Sequence, residues 1–493
     1  VLKFLRSAPG DPSLGRGALY LLAGKFASML AGYGIILFLT RTLGDDPTAY
    51  GVYSTVVTAV SILNMVVITG TIQAVSKFVS ERPSESRSVV AGAIRVQGVL
   101  LLLLTGGYLA AAPFIARLLN DPGLTPYLRI SALILGSYTI YAAFIGAFNG
   151  LRNFRAQGLF DAFFALLKAA AVCGAVALGF GAAGALWGFG GAALTITALA
   201  AAAVGIPRGV VPHPPGRIAR FAGSVILFVF LQEAIKGADI LLLKALGGDA
   251  SRGSALAGYY YNALNVARVP MYLLTAVIFV IFPVISRVTF VEDRERTRFY
   301  IRGVLRYTLI ILTPFCVLVS LEAEGVTRLL FGPAFDACAE PLRLLAVGQG
   351  FFAVAMVATT VITAGGRPGA SVLFALAALA TQGALNFTLI PRQETWGAAL
   401  GTTTAMALWA VLCLGFLGLT YSAGLPVRST VRILACGAAV GAGALAVGPA
   451  SGGWAVLAKL CGFGALFVAL LALTRELTRE DWNRVLGIVR PAR

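Results

Sequence analysis

The sequence predicts an all-α polytopic membrane protein. About 14 transmembrane helices are expected: two six-helix bundles related by a pseudo-two-fold along the membrane normal, plus two extra C-terminal helices. Three observations carry this expectation. Of the 493 residues, 58% are hydrophobic and only 12% charged, with a mean hydropathy of +0.86, whereas a soluble domain carries about 25% charged residues. Long apolar runs recur, each near the ~20 residues that a bilayer requires of a helix. Finally, the first six runs are echoed by the next six.

Taken in order, the first run is 18–39. Residues 1–16 ahead of it are short, basic and Pro/Gly-rich. They read as a cytoplasmic lead rather than a cleavable signal, because the run that follows is long enough to span. Runs 51–76, 89–113, 127–149, 157–180 and 184–205 complete a first bundle, placed at 1–206. The linker Val211-Pro212-His213-Pro214-Pro215 reads as solvated. Runs 219–243, 256–285, 299–322, 342–364, 370–390 and 396–420 form a second bundle, placed at 207–422. Runs 431–449 and 453–474, with a basic tail, make up 423–493.

Lys and Arg total 39 and Asp and Glu 21, a net charge of +18. In a membrane protein that excess reports topology rather than a nucleic-acid partner. With both termini on one side, that side takes 25 cations, including the cluster Arg287, Arg294, Arg296, Arg298, Arg302 and Arg306. The other side takes eight, among them Arg41, Arg117, Lys244 and Arg328. The bias assigns both termini to the cytoplasm. The cluster reads as a solvated loop obeying topology; the alternative is contact with anionic headgroups or glycosyltransferases.

Other chemistry is thin. One histidine, His213, leaves little room for histidine metal sites or Ser/His/Asp catalysis. The six cysteines form no CxxC pair, and five lie in apolar runs, so they read as small core residues. There is no P-loop. No enzyme activity, cofactor or metal is expected.

The repeat sits at an offset slightly above 200 residues. Leu43-Gly44-Asp45 followed by Tyr50-Gly51-Val52-Tyr53 matches Leu246-Gly247-Gly248-Asp249 followed by Gly258-Tyr259-Tyr260. Arg117-Leu118-Leu119 with Pro126-Tyr127-Leu128-Arg129 matches Arg328-Leu329-Leu330 with Pro341-Leu342-Arg343. Gly184-Ala185-Leu186-Trp187-Gly188 resembles Gly397-Ala398-Ala399-Leu400-Gly401. Six spans per repeat is an even number, so both halves enter the membrane in the same direction. Such parallel repeats bind substrate between the halves and alternate access by rocking.

These same residues resemble a known family. Arg41-Thr42-Leu43-Gly44 with Tyr50-Gly51-Val52-Tyr53 is similar to the opening motif of bacterial polysaccharide flippases of the multidrug/oligosaccharidyl-lipid/polysaccharide exporter superfamily. Asp239-Ile240-Leu241-Leu242-Leu243, Gly258-Tyr259-Tyr260-Tyr261-Asn262-Ala263 and Phe282-Pro283-Val284-Ile285-Ser286-Arg287 fit the same pattern. The resemblance covers most of runs 1 to 12. It implies a V-shaped pair of six-helix bundles moving undecaprenyl-pyrophosphate-linked oligosaccharide to the outer leaflet of a bacterial inner membrane. It also implies a role in assembling O-antigen lipopolysaccharide or another exported polysaccharide. Lipid II flippases of the superfamily share the fourteen spans.

An ionisable group at mid-bilayer costs about 2.5–3.5 kcal/mol on insertion scales, so it faces a partner or a wet cavity. Lys25, Arg95, Lys168 and Arg268 are the candidate cavity cations, suited to a pyrophosphate because Coulomb attraction strengthens where water is scarce. Arg268 shares helical spacing with Tyr261, Asn265 and Tyr272. Glu233, Lys236 and Asp239 are spaced i, i+3, i+6; either they neutralise one another or an acid couples transport to an ion gradient. Asn265, Gln382 and Asn386 are candidate sugar contacts, with interhelical hydrogen bonding the alternative use of the last two. Asp161 is expected to pair with Arg152 or Arg155, and Lys459 to snorkel.

The leading expectation is a flippase for lipid-linked oligosaccharide. Its other partners would be membrane lipids and glycan polymerase or glycosyltransferases, with no nucleic acid. The alternatives are a multidrug or metabolite exporter, a lipid II flippase, and a membrane O-antigen polymerase or ligase. The first favours an anionic aromatic pocket for cationic drugs; the last needs an external loop bearing acids, Arg or His.

Overall fold

The computed structural model describes residues 14–43, 46–205, 209–272, 274, 294–450 and 452–477. Several expectations fall outside these residues: the Gly44-Asp45 part of the first loop motif, the Phe282–Arg287 motif, the second half of the eighth run and the basic tail.

The described residues are helical apart from turns and loops. In chain order the helices are α1 Leu14–Thr42, α2 Pro47–Glu81, α3 Ser86–Leu100, α4 Gly106–Leu118, α5 Thr125–Gly150, α6 Phe154–Ala177 and α7 Gly181–Val204. They continue with α8 Pro215–Leu246, α9 Ala250–Ala267, α10 Arg294–Leu321, α11 Ala323–Phe331, α12 Ala339–Ala364, α13 Pro368–Tyr421, α14 Val427–Ala446 and α15 Gly453–Leu473. Among the described residues, 11 segments are long and apolar enough to cross a membrane.

Two of these segments differ from the predicted runs. A π-helical turn, Leu101–Thr105, joins α3 to α4, so the third run extends to Leu118 as one segment. α13 is 54 residues long and holds the eleventh and twelfth predicted runs. It folds back on itself at Glu394, whose φ is +46. The two arms touch: Gln382 Nε2 donates to Thr402 Oγ1 at 3.1 Å, and Gly397 lies against Leu389.

Local chemistry explains the helix starts. Asp46 caps α2 by accepting from the Thr48 and Ala49 amides at 3.0 and 3.4 Å, with Pro47 at the first helical position. In the repeated loop, Asp249 accepts from the Arg252 amide at 2.8 Å and caps α9 in the same way. Asn153 caps α6 through the Ala156 amide.

The chain packs as two compact units, Val1–Tyr259 and Tyr260–Arg493. In the first, α2 packs on α5 and α8, α5 on α7, and α1 on α6. Val75, Phe144, Phe148, Ile196 and Ile218 lie in its core. In the second, α10 packs on α12 and α14, and the two arms of α13 hold α12. Leu318, Ile433, Val440, Phe467 and Leu471 join α10 to the last two helices. An ionic clamp reinforces that junction. Arg306 Nε donates to Glu476 Oε1 at 2.7 Å, and Arg432 lies 3.7 Å from Oε2 of the same buried carboxylate.

Candidate functional site

In the first unit, α1 and α6 approach closely because Gly24 lies against Gly158, where a side chain would meet the Gly158 carbonyl. That approach brings Lys25 Nζ within 2.8 Å of Asp161 Oδ2. The lysine side chain stays 62% exposed and the aspartate 14%. Ser28 Oγ hydrogen-bonds the Gly24 and Asp161 carbonyls. The expected pairing of Asp161 with Arg152 or Arg155 is therefore corrected. Arg155 is six residues away along α6, hence on a different helix face, whereas Lys25 faces Asp161 across the interhelical seam.

Lys168 lies seven residues, about 10 Å, further along α6. Its ammonium is 4.9 Å from the Phe189 ring centre and 5.9 Å from that of Phe164, a cation–π geometry. Tyr138 and Tyr141 stack edge-on or tilted against Phe164. Arg95 is exposed on α3, a helix that packs chiefly on α5, α2 and α8. Two residues on, Gln97 is buried and donates to Thr71 Oγ1 at 2.6 Å. Lys25, Arg95 and Lys168 thus share one unit, with only Lys25 and Lys168 on adjoining helices. Arg268 belongs to the other unit.

On α8, Glu233 and Lys236 form an ion pair. Asp239 is fully buried, and its Oδ1 accepts from the Ile240 amide at 2.9 Å. α8 runs antiparallel to α2, with Gly237 against Thr58 and Ile62 and Gly70 against Ile226. The register places Asp239 level with residue 56, in the half of the span towards the exterior on the charge-bias assignment. Glu233 and Lys236 thus pair directly, and Asp239, three residues further on, is buried. If Asp239 is the coupling group, Asp239→Asn removes most of any sodium or pH dependence of transport measured in membrane vesicles. An unchanged ion response assigns it to packing alone.

In the second unit, Arg268 is half-buried just past the end of α9. Asn265 Nδ2 donates to the Tyr261 carbonyl at 2.7 Å. Gln382 and Asn386 are fully buried between the arms of α13. Tyr260 Oη also donates to the Thr402 hydroxyl that Gln382 engages, and Asn386 packs on Gly401. In this conformation neither residue faces open space, and Gln382 takes the interhelical use.

Three features escape sequence reasoning. Lys244, read as an external loop cation, is entirely buried and lies 2.7 Å from Asp121. Lys459, expected to snorkel, is paired with Glu322; both side chains are 6% exposed. Its ammonium also donates to the Gly448 carbonyl at 2.5 Å. His213, expected in a solvated linker, stacks 5.0 Å from Phe78. Its amide donates to the Ser88 carbonyl, and Ser88 Oγ donates to the Val211 carbonyl at 2.6 Å. Each partner lies far away in sequence, so no local pattern announces it.

Similarities to other proteins agree with this architecture. The solved lipid II flippase MurJ, in an inward closed conformation, superposes with a TM-score of 0.78 at 12% identity, covering 93% of this chain and 99% of that one. An inward-facing multidrug resistance MATE family transporter gives 0.66 at 14% identity, covering 80% and 94%. A MOP superfamily transporter from Pyrococcus furiosus gives 0.60 at 15% identity, covering 85% and 98%. These likenesses establish the fold. An uncharacterized membrane protein of Methanocaldococcus jannaschii is 24% identical over 164 residues. That match spans about a third of each protein, 33% of this chain and 32% of the relative. The model for lipid II flippase MurJ matches residues 244–472, and that described as polysaccharide biosynthesis protein matches residues 14–289. The second covers more than half of the chain, which therefore belongs to the polysaccharide biosynthesis protein family.

Proposed function

We propose that this protein is a flippase that carries undecaprenyl-pyrophosphate-linked oligosaccharide across a bacterial inner membrane, by alternating access through a cationic cavity. The observation that carries the reading is the family match over 14–289. It spans α1, α3, α6 and the start of the second repeat, the segments bearing Lys25, Arg95, Lys168 and Arg268. The exposed ammonium of Lys25 is consistent with it, since an intramembrane cation kept in contact with open space is available to an anionic headgroup. In this mechanism the headgroup enters from the cytoplasm while its lipid tail stays in the bilayer. The pyrophosphate exchanges against Asp161 for Lys25 and engages Arg95 or Arg268. Asn265 contacts sugar in this reading. The bundles then rock to release the headgroup outside, where a glycan polymerase consumes it. Glycosyltransferases on the cytoplasmic face supply it.

A second reading, a lipid II flippase, draws on the match at 244–472 and the MurJ-like fold. Depletion in cells separates the two. The oligosaccharide reading expects lipid-linked glycan to accumulate on the inner leaflet while peptidoglycan precursors stay normal. Accumulated lipid II with normal glycan export selects the other. Lys25→Met and Arg268→Met are expected to reproduce the depletion phenotype at normal protein abundance; ordinary export from both discards the cation assignment.

A further inference from the structure

On the side that the charge bias assigns to the exterior, three segments converge within the first unit. They are the start of α2, the α4–α5 loop and the α8–α9 turn. Lys244, in the last turn of α8, has a fully buried side chain. Its ammonium lies 2.7 Å from Asp121 Oδ2 and donates to the Ala250 carbonyl at 2.6 Å. Asp121 is itself fixed, its Oδ1 accepting from the Gly123 amide at 3.0 Å. Next to it, Asn120 has φ of +54, and its Nδ2 donates to the Gly248 carbonyl at 2.9 Å. The Thr48 and Ser251 hydroxyls are 3.4 Å apart. Beneath them Gly51 packs directly on the Ser254 backbone.

By the internal repeat, Asp121 belongs to the first half of the sequence and Lys244 to the second. A permanent junction between halves needs no charge, because apolar packing serves as well or better than a buried ion pair. A junction that must open is different. Its ions lose hydration when buried and recover it when they part into water, so the closed and open arrangements stay close in free energy. The equivalent residues are set differently, each within its own unit. Arg41, at the position of α1 that corresponds to Lys244, is exposed. Asp336, in the corresponding second-half loop, is held by Arg328 of neighbouring α11 at 2.5 Å.

We propose that the Lys244–Asp121 pair is a reversible outer latch. It holds the α8–α9 turn onto the α4–α5 loop while the exterior is sealed, and it parts when the cleft opens outward. The proposal rests on the transport reading. The test uses the full chain in proteoliposomes, with its six cysteines replaced and Ser254→Cys added as a buried probe. The readout is the labelling rate with a membrane-impermeant maleimide. Lys244→Met and Asp121→Asn are each expected to raise the rate on the order of tenfold by populating the open form. The exchange Lys244→Asp with Asp121→Lys is expected to return it close to the parent rate.

Unchanged labelling in monodisperse single variants overturns the latch, and so does failure of the exchange to restore the parent rate. If Lys244→Met does not fold, the near-isosteric Asp121→Asn and the milder Asn120→Ala carry the same test, each with raised labelling expected. Flipping of lipid-linked oligosaccharide is measured in the same vesicles. A parent that flips while labelling ignores the latch variants removes the latch and keeps the transport reading. A parent that does not flip lipid-linked oligosaccharide, with the labelling response intact, removes the oligosaccharide reading and keeps the latch as the outer closure of a flippase for another lipid-linked substrate.

Discussion

Glu322→Ala is expected to destabilise the protein by about 3–5 kcal/mol, the usual cost of stranding one member of a buried ion pair. The remaining ammonium of Lys459 would keep only the Gly448 carbonyl, at 2.5 Å, in surroundings that leave its side chain 6% exposed. Lys459→Met strands the carboxylate instead and is expected to cost a similar amount. The informative control is Glu322→Leu with Lys459→Met. Replacing both ions by apolar groups of similar size is often neutral or stabilising, so the double variant should recover most of the loss. Unfolding by SDS titration in mixed micelles measures all three. Single variants as stable as the parent would mean that the pair is hydrated and that α15 is held to α11 by packing alone.

Gly51→Val is expected to have the second largest effect. Gly51 sits where α2 crosses the start of α9, and even a Cβ there would overlap the Ser254 carbonyl. The obstacle is backbone, so no rotamer change relieves it. Gly258 lies on the other side of the same crossing, against the Gly51 backbone. Overpacking a tight contact costs about 1–3 kcal/mol or more, and the added branches of valine should take the loss to the upper end. Gly51→Ala is expected to give a smaller loss of the same sign. Thermal unfolding in detergent, followed by intrinsic fluorescence, reads both. A valine variant that melts with the parent would show that the helices separate at no cost.

Much of this architecture was legible because it follows from solvent. A helix that crosses hydrocarbon must be apolar along its length, and its ends must carry the charge. Runs such as 127–149 and 184–205 therefore announce α5 and α7 closely. The repeated loop was legible as a pattern, although the residue that caps α2 as Asp249 caps α9 is Asp46, one position after the Asp45 that the repeat aligns with Asp249. What stayed hidden was pairing at a distance. Lys244 reads as a solvated cation because it ends an apolar run, yet its partner is 123 residues away. Lys459 and Glu322 are separated by 137. Asp161 was assigned to a local arginine because sequence shows neighbours along one helix, not the helix packed alongside. The amphipathic α11 was missed because nine residues between two spans read as loop. Lys25 and Lys168 were found as intramembrane cations, but the carboxylate and the aromatic rings that receive them come from packing.

The clamp at Glu476 has a practical consequence for measuring motion in this protein. Arg306, twelve residues into α10, and Arg432, five residues into α14, grip one carboxylate just beyond the final span. The last two spans are thereby bolted to α10 by this clamp as well as through their shared apolar seam. A spin label or fluorophore at Leu477 should ride with the second unit as a fiducial mark. Distances taken from it to first-unit positions would then report relative motion of the two units rather than wobble of a loosely tethered appendage.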